Sequence, residues 1–258
     1  MLSGIGSQPS TPGDGWSLSL RVFSTTELVM RAILLAAGLG TRLQPLTTSV
    51  PKCLVPIKDV PLLEIWLDKM TDVGVDSILV NTHYHADKVV AYVERSNYKN
   101  RVVVVYEPLL LGTAGTLMAN LPFFEGDDGI LAHADNYFLE DLRNLLLAHK
   151  LRSSGCVITM LTFRSENPST CGIVEVDELG VVTGFHEKVM SPPGNLANGA
   201  VYLLSAELIA RLPLNWKTAK DFSADILPDL VGRIQTYETK QLFLDIGTPS
   251  TYARANND

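Results

Sequence analysis

From Met30 onward the chain alternates short apolar runs with segments of helical period. Ala32–Ala36 (AILLA) reads as a buried strand, and a loop rich in glycine, proline and threonine follows it. Pro61–Val73 spaces Leu62, Leu63, Ile65, Trp66 and Met70 at near-helical intervals, which predicts an amphipathic helix. Ser77–Val80 is expected to be extended and His85–Val93 helical. The unbroken run of Val102–Tyr106 (VVVVY) suits a parallel strand covered on both faces. Ala114–Leu121 and Asp141–Leu151 carry helical spacing, whereas Gly129–Ala134 and Val157–Phe163 read as strands. Such alternation predicts an α/β fold with a doubly wound, mostly parallel sheet, whose ligands bind beyond the carboxyl ends of the strands. Past residue 170 the rhythm changes to short strands at Ile173–Val176, Val181–Phe185 and Ala200–Leu204, which predicts a smaller β-rich lobe laid against the sheet. No tandem repeat is visible, and there is no hexapeptide period of a β-helix.

Residues 1–29 are rich in Ser, Gly, Pro and Thr and lack the basic start and apolar block of a signal peptide. They are expected to form a flexible N-terminal extension, with 30–258 a single domain. The 258 residues are 46% hydrophobic and 19% charged, enough apolar material for a real core and too much for a disordered tail. No window holds about 18 consecutive apolar residues, so no membrane span is expected. The balance of 21 Lys+Arg against 28 Asp+Glu gives a net charge of −7 and disfavours a nucleic-acid binder. An anionic ligand would need a local cluster of cations, backbone N–H groups or a metal, because the overall field repels it. Cys53, Cys156 and Cys171 lie far apart without a CxxC and read as ordinary buried thiols of a reducing compartment, so a cytoplasmic location is expected.

Candidate chemistry begins in the first loop, Gly38-Leu39-Gly40-Thr41-Arg42, which continues to Pro51-Lys52-Cys53-Leu54. Glycines directly after a strand let a phosphate approach the backbone, Arg42 offers a planar fork for its oxygens, and Lys52 a mobile point charge. The spacing fits neither GxGxxG, since Leu43 replaces the third glycine, nor a P-loop, since no GK[ST] follows. Taken alone, the loop reads equally well as a tight turn with two solvated cations.

The longer string AAGLGTRLQPLTTSVPKCLVPI resembles the signature of the sugar-1-phosphate nucleotidylyltransferases, GxGTRLxPLTxxxPKPLxPI, and departs from it at Cys53, where proline is usual. Further matches follow in order over residues 30–255. Glu107 with Gly112-Thr113-Ala114-Gly115 is similar to the family's base-reading segment, and His133-Ala134-Asp135-Asn136 to the place of its metal-binding aspartate. Phe185-His186-Glu187-Lys188 is similar to the segment that holds the sugar and its phosphate, Asn198-Gly199 to the sugar-hydroxyl contact, and Phe243-Leu244-Asp245 to a second metal aspartate.

The resemblance implies a Rossmann-like nucleotidyltransferase fold, with 30–150 mainly nucleotide-binding and 151–258 mainly sugar-phosphate-binding. It implies Arg42, Lys52, Asp135 and Lys188 as catalytic residues and Asp135 and Asp245 as Mg²⁺ ligands. Leu35, Ala36, Ala37, Gly38, Gly40, Thr41, Glu107, Gly112 and Thr113 would bind the nucleotide, and Gly172, Glu187, Lys188, Asn198 and Gly199 the sugar phosphate. The partners implied are a nucleoside triphosphate and a sugar 1-phosphate of mannose or heptose type. A carboxylate at position 107 leans towards guanine, which presents two neighbouring donors, N1–H and N2–H₂, whereas uracil and thymine present one.

Individually these residues stay ambiguous: Lys52 and Lys188 read as solvated lysines, Asp135 and Asp245 as loop or surface carboxylates. His83 and His85, two apart after a strand, could form a metal pair, but with no Cys or third His near they read as structural. His133 is expected beside the pocket, and His186 has no assigned role. Alternatives left open are a thymidylyl- or uridylyltransferase acting on a glucose-type 1-phosphate, a catalytically silent nucleotide-sugar sensor, and a non-sugar acceptor such as phosphocholine. A homodimer through the smaller lobe is also compatible with the sequence.

Overall fold

A computed structural model describes residues 30–257 together with Met1; the extension expected over 1–29 otherwise lies outside the described residues. In chain order the strands are β1 (Met30–Leu35), β2 (Pro56–Ile57), β3 (Val60–Pro61), β4 (Val75–Thr82), β5 (Val102–Tyr106), β6 (Gly129–His133), β7 (Asn136–Phe138), β8 (Ile158–Arg164), β9 (Gly172–Val176), β10 (Val182–Glu187), β11 (Leu196–Leu204), β12 (Ile234–Glu238) and β13 (Phe243–Asp245). The helices are α1 (Leu62–Asp72), α2 (Ala86–Arg95), α3 (Gly112–Ala119), α4 (Leu142–Lys150), α5 (Ala206–Asn215), α6 (Phe222–Asp225) and α7 (Pro249–Asn257).

Strands β5-β4-β1-β6 run parallel in that spatial order, and β11 joins antiparallel with β6 and β9 end to end along one edge and β8 along the other. Side chains alternate across the sheet as the pleat requires. Ala32, Leu34, Ile78 and Val80 enter a core with Leu63, Trp66 and Met70 of α1 and Val89 of α2, while Ile33, Leu79 and Leu131 meet Leu117 of α3 and Leu208 of α5 on the other face. Helices therefore cover both faces, the doubly wound arrangement expected. Each large apolar side chain buried in this way contributes about 1.5–3 kcal/mol. α1 carries a further anchor, because the Trp66 indole N–H donates to the Asn136 carbonyl at 2.9 Å and so ties the helix to the strand after Asp135.

Three expectations change. β5 is the outer strand of the sheet, with Val103 48% and Tyr106 60% exposed, so its apolar run does not mark burial on two faces. The β-rich segment after residue 170 is present but continuous with the same sheet, because β11 is long enough to hydrogen-bond to β6 at one end and to β9 at the other. Among the cysteines, Cys53 and Cys156 are buried, but Cys171 is only half-buried. No helix among the described residues is long and apolar enough to cross a membrane.

One buried polar contact makes a pH-dependent contribution. His149 of α4 is 3% exposed, its Nδ1 lies 2.8 Å from Thr159 Oγ1 and its Nε2 3.3 Å from Asp128 Oδ2. The neighbouring His149, against the cost of partial burial and aided by the Ala206 N–H, holds the Asp128 carboxyl below its ordinary value of 3.8. A carboxylate shifted down on folding stabilises the protein above its unfolded value and loses that contribution as pH falls through the folded one. Asp128→Asn is thus expected to lower Tm at pH 7 and to flatten the acid loss of Tm below about pH 4. An equal drop at both pH values in thermal melts would contradict this.

Candidate active site

The strand register builds the site. Leu35 at the end of β1 is paired with Asn81 of β4 on one side and His133 of β6 on the other, so three strand ends form one rim. A cleft of about 220 Å³ opens above it. Its lining includes seven of the expected nucleotide residues, Leu35, Ala36, Ala37, Gly38, Glu107, Gly112 and Thr113, together with Lys52 and Asp135. Gly40 and Thr41 lie beyond the lining, in the turn that closes the loop.

The two loop glycines have different reasons. A Cβ at Gly38 would meet nothing within 4 Å, leaving the backbone open to a ligand. Gly40 has φ +66°, and a Cβ there would lie 2.9 Å from Thr47 Cγ2, so both the conformation and the space call for glycine. Thr47 Oγ1 donates to the Gly40 carbonyl at 2.7 Å and fixes the turn that carries Arg42.

The acids and cations meet at the mouth of this cleft. β7 and β13 pair as a two-stranded ribbon, which sets Asp245 opposite Asn136, and the Ile246 N–H donates to the Asp135 carbonyl at 2.9 Å. The Lys52 ammonium lies 2.5 Å from Asp135 Oδ2 and 3.6 Å from Asp245 Oδ1, while the exposed Arg42 guanidinium is 3.8 Å from Asp245 Oδ2. Burial would raise the Asp135 carboxyl, but the charges of Lys52 and His133 outweigh it and hold the group below the usual carboxylate range. Asp245 is held above that range by loss of hydration and the charge of Asp135, against the pull of Lys52 and Arg42. Two convergent carboxylates already shared by one cation suit Mg²⁺, which takes one or two carboxylates and completes its shell with phosphates and water. No group of three or more His, Cys, Asp or Glu fit for a metal occurs among the described residues, and this chemistry does not call for one.

Glu107 is 3% exposed, and its carboxylate is largely engaged inside the protein. Oε1 accepts from Asn81 Nδ2 at 3.0 Å and Thr116 Oγ1 at 2.6 Å, and Oε2, among the described residues, from the Leu111 N–H alone at 3.3 Å. The expectation of two oxygens meeting a base therefore narrows to one, Oε2. Asn81 was not singled out from the sequence for this role. Its Oδ1 also accepts the Ala36 N–H at 2.7 Å, so one buried amide ties the start of the loop to Glu107. The signal was a polar residue closing an apolar strand, obscured by the histidines after it. Those histidines do not pair: His83 Nδ1 lies 2.8 Å from the Glu107 carbonyl and His85 Nε2 3.0 Å from that of Thr48.

Where the sequence predicts the sugar-phosphate contacts, β9 and β10 place Gly172 opposite Glu187. A Cβ at Gly172 would stand 2.6 Å from Glu187 Oε2, so the glycine provides the space in which that carboxylate lies. Glu187 Oε1 accepts from the Lys188 ammonium at 3.0 Å, and this bond raises the Lys188 pKa, with Asp221 acting alongside it and Arg42 against it. Asn198 and Gly199 sit in a bulge of β11, with polar atoms engaged within the protein. Asn198 Nδ2 donates to Tyr202 Oη at 2.7 Å and Ser223 Oγ at 3.3 Å, its Oδ1 accepts the Ala200 N–H, and the Gly199 carbonyl accepts from Asn136 Nδ2. Burial pushes the Cys53 thiol up to about 12, which keeps it protonated beside Lys52.

A cleft at the ends of parallel strands is where open α/β sheets bind their ligands, and the glycine turn with Arg42 and Lys52 beside it suits an anionic one. The nucleotidyl transferase family model matches residues 31–258, and the chain belongs to that family. A Sulfolobus acidocaldarius protein provisionally named a mannose-1-phosphate guanyltransferase is 33% identical over 88% of this chain and 62% of its own length. The Campylobacter jejuni D-glycero-alpha-D-manno-heptose 1-phosphate guanylyltransferase is 29% identical over 86% of this chain and 97% of its own. This chain thus spans about three fifths of the first relative and nearly all of the second. The crystal structure of HddC from Yersinia pseudotuberculosis complexed with GMP-PN superposes with a TM-score of 0.72 at 27% identity, covering 88% of this chain and 98% of that one. Relatives at similar identity also carry the names of glucose-1-phosphate adenylyl- and uridylyltransferases.

Proposed function

We propose that the protein joins a nucleoside triphosphate to a sugar 1-phosphate, giving a nucleoside diphosphate sugar and pyrophosphate. One phosphate oxygen of the acceptor attacks the α-phosphorus; that P–O bond forms as the bond to the β-phosphate breaks and pyrophosphate leaves in line. Two polyanions must be brought together, so the work is positioning and charge neutralisation. The observation that carries this reading is the Lys52 ammonium held between Asp135 and Asp245 at the mouth of the cleft.

In this reading the backbone around Ala36–Gly38 receives the triphosphate and Arg42 takes the oxygens of the departing pyrophosphate. Lys52 moves from the acids towards the phosphates, and Lys188, kept charged by Glu187, holds the acceptor phosphate. Asp135 and Asp245 would hold Mg²⁺, which when bound neutralises phosphate charge at the reacting centre. GTP with a mannose- or heptose-type acceptor is favoured by the names of the two relatives and by Glu107 Oε2, which can accept from a guanine donor. The test is pyrophosphate release over a matrix of the four common nucleoside triphosphates and a panel of sugar 1-phosphates. GTP with a manno-configured acceptor is expected to lead; no release from any pair would reject the reading, and binding without turnover would leave a sensor.

Gly172→Ala gives a second, narrower check. Its methyl must displace the Glu187 carboxylate, and a misplacement of about 1 Å can cost on the order of 10²-fold. Steady-state kinetics are expected to show kcat/KM for the acceptor falling by up to about that factor while the circular dichroism spectrum is retained. An unchanged acceptor constant would remove Glu187 from the site.

A further inference from the structure

The nucleotide cleft and the acceptor side are joined by a short strap, Lys220–Ser223, which includes the start of α6. Its fastening to α3 is dense. The Lys220 carbonyl accepts the Ala114 N–H at 2.9 Å and comes so close to Gly112 that a Cβ there would lie 2.4 Å from it. The Phe222 N–H donates to Thr113 Oγ1 at 2.7 Å, and that hydroxyl lies 3.4 Å from Asp221 Oδ2 as donor.

The other end of the strap belongs to the acceptor side. Ser223 Oγ lies 3.3 Å from both Asn198 Nδ2 and Tyr202 Oη, and the Phe222 ring packs on Tyr202 with centroids 4.9 Å apart. Asp221 contributes its charge to the environments of Lys188 and Tyr202. Thr113 lines the nucleotide cleft, yet its hydroxyl is engaged away from it, towards the strap.

We infer that Thr113 is a positioning residue for the acceptor: through the Phe222 N–H it transmits the state of the nucleotide cleft to the strap, and through Ser223 and Asp221 to the sugar-phosphate side. This rests on the proposed transfer reaction. It assigns to Thr113 a role in acceptor affinity in place of the nucleotide contact that its position in the cleft wall suggests. A hydroxyl that shifts when α3 settles onto a base moves the strap with it, so occupancy of one site prepares the other.

Thr113→Val keeps the shape and deletes the acceptor of the Phe222 N–H, whereas Thr113→Ser keeps the hydroxyl. In Thr113→Val the KM for the sugar 1-phosphate is expected to rise on the order of tenfold, with the KM for GTP changed less than about threefold, and Thr113→Ser to stay near wild type. A rise in the GTP constant equal to or larger than that of the acceptor, no change in either, or failure of the serine variant to restore the acceptor constant would overturn the inference. Hydrogen exchange separates this from failure of the reaction assignment. GTP alone is expected to slow exchange over residues 220–225 in the wild type and in Thr113→Ser and not in Thr113→Val. Absence of that slowing in the wild type, or its persistence in the valine variant, rejects the coupling whether or not any product forms.

Discussion

Asp135→Asn is expected to lower turnover by on the order of 10²–10³-fold or more, the scale on which a single positioned electrostatic group acts at a reacting centre. Asparagine retains an oxygen that can accept from Lys52, so the ammonium keeps a partner and the fold is expected to stand. What is lost is charge. Asp135 is ionised below the usual carboxylate range because Lys52 and His133 favour its anion, whereas Asp245 is disfavoured as an anion by lost hydration and by Asp135 itself. The pair is thus unequal, and Asp135 is the stronger partner for a cation. Rate measured against Mg²⁺ concentration tests this: the variant is expected to need far more metal and still to fall short at saturation. Wild-type turnover at ordinary Mg²⁺ would remove Asp135 from the reaction.

Arg42→Ala carries the second large effect, also on the order of 10²–10³-fold in rate. The side chain is 69% exposed and among the described residues forms an ion pair with Asp245, at 3.8 Å; a pair of this kind contributes little to stability, so the melting temperature is expected to stay near wild type. Its planar shape matters more than its charge, because a guanidinium can bind two phosphate oxygens at once and an ammonium cannot. Arg42→Lys is accordingly expected to recover only part of the loss. Pyrophosphate-release kinetics on the three proteins check both statements, and full activity in Arg42→Lys would reject the bidentate role.

Much of the site was legible in the sequence because it is local. The glycine loop, Arg42 and Lys52 lie within one stretch after β1, where conformation follows from glycine at a positive φ and from a short apolar strand. The helices of the first half also follow from spacing, as with Leu62, Leu63, Trp66 and Met70 of α1. Other features had no local signal. β7 and β13 are only three residues each, too short for any period, and their pairing alone brings Asp135 and Asp245 together. Likewise α6 is four residues long, too short for a helical period to show.

The chain by itself determined the α/β architecture, the phosphate-type loop and the set of charged residues, since period and glycine placement act between near neighbours. Only the tertiary structure decided which groups those side chains serve. Glu107 spends one oxygen on Asn81 and Thr116, Asn198 holds a bulge, and Lys52 sits between two acids, because a polar atom bonds to whatever distant strand or helix packing brings within about 3 Å.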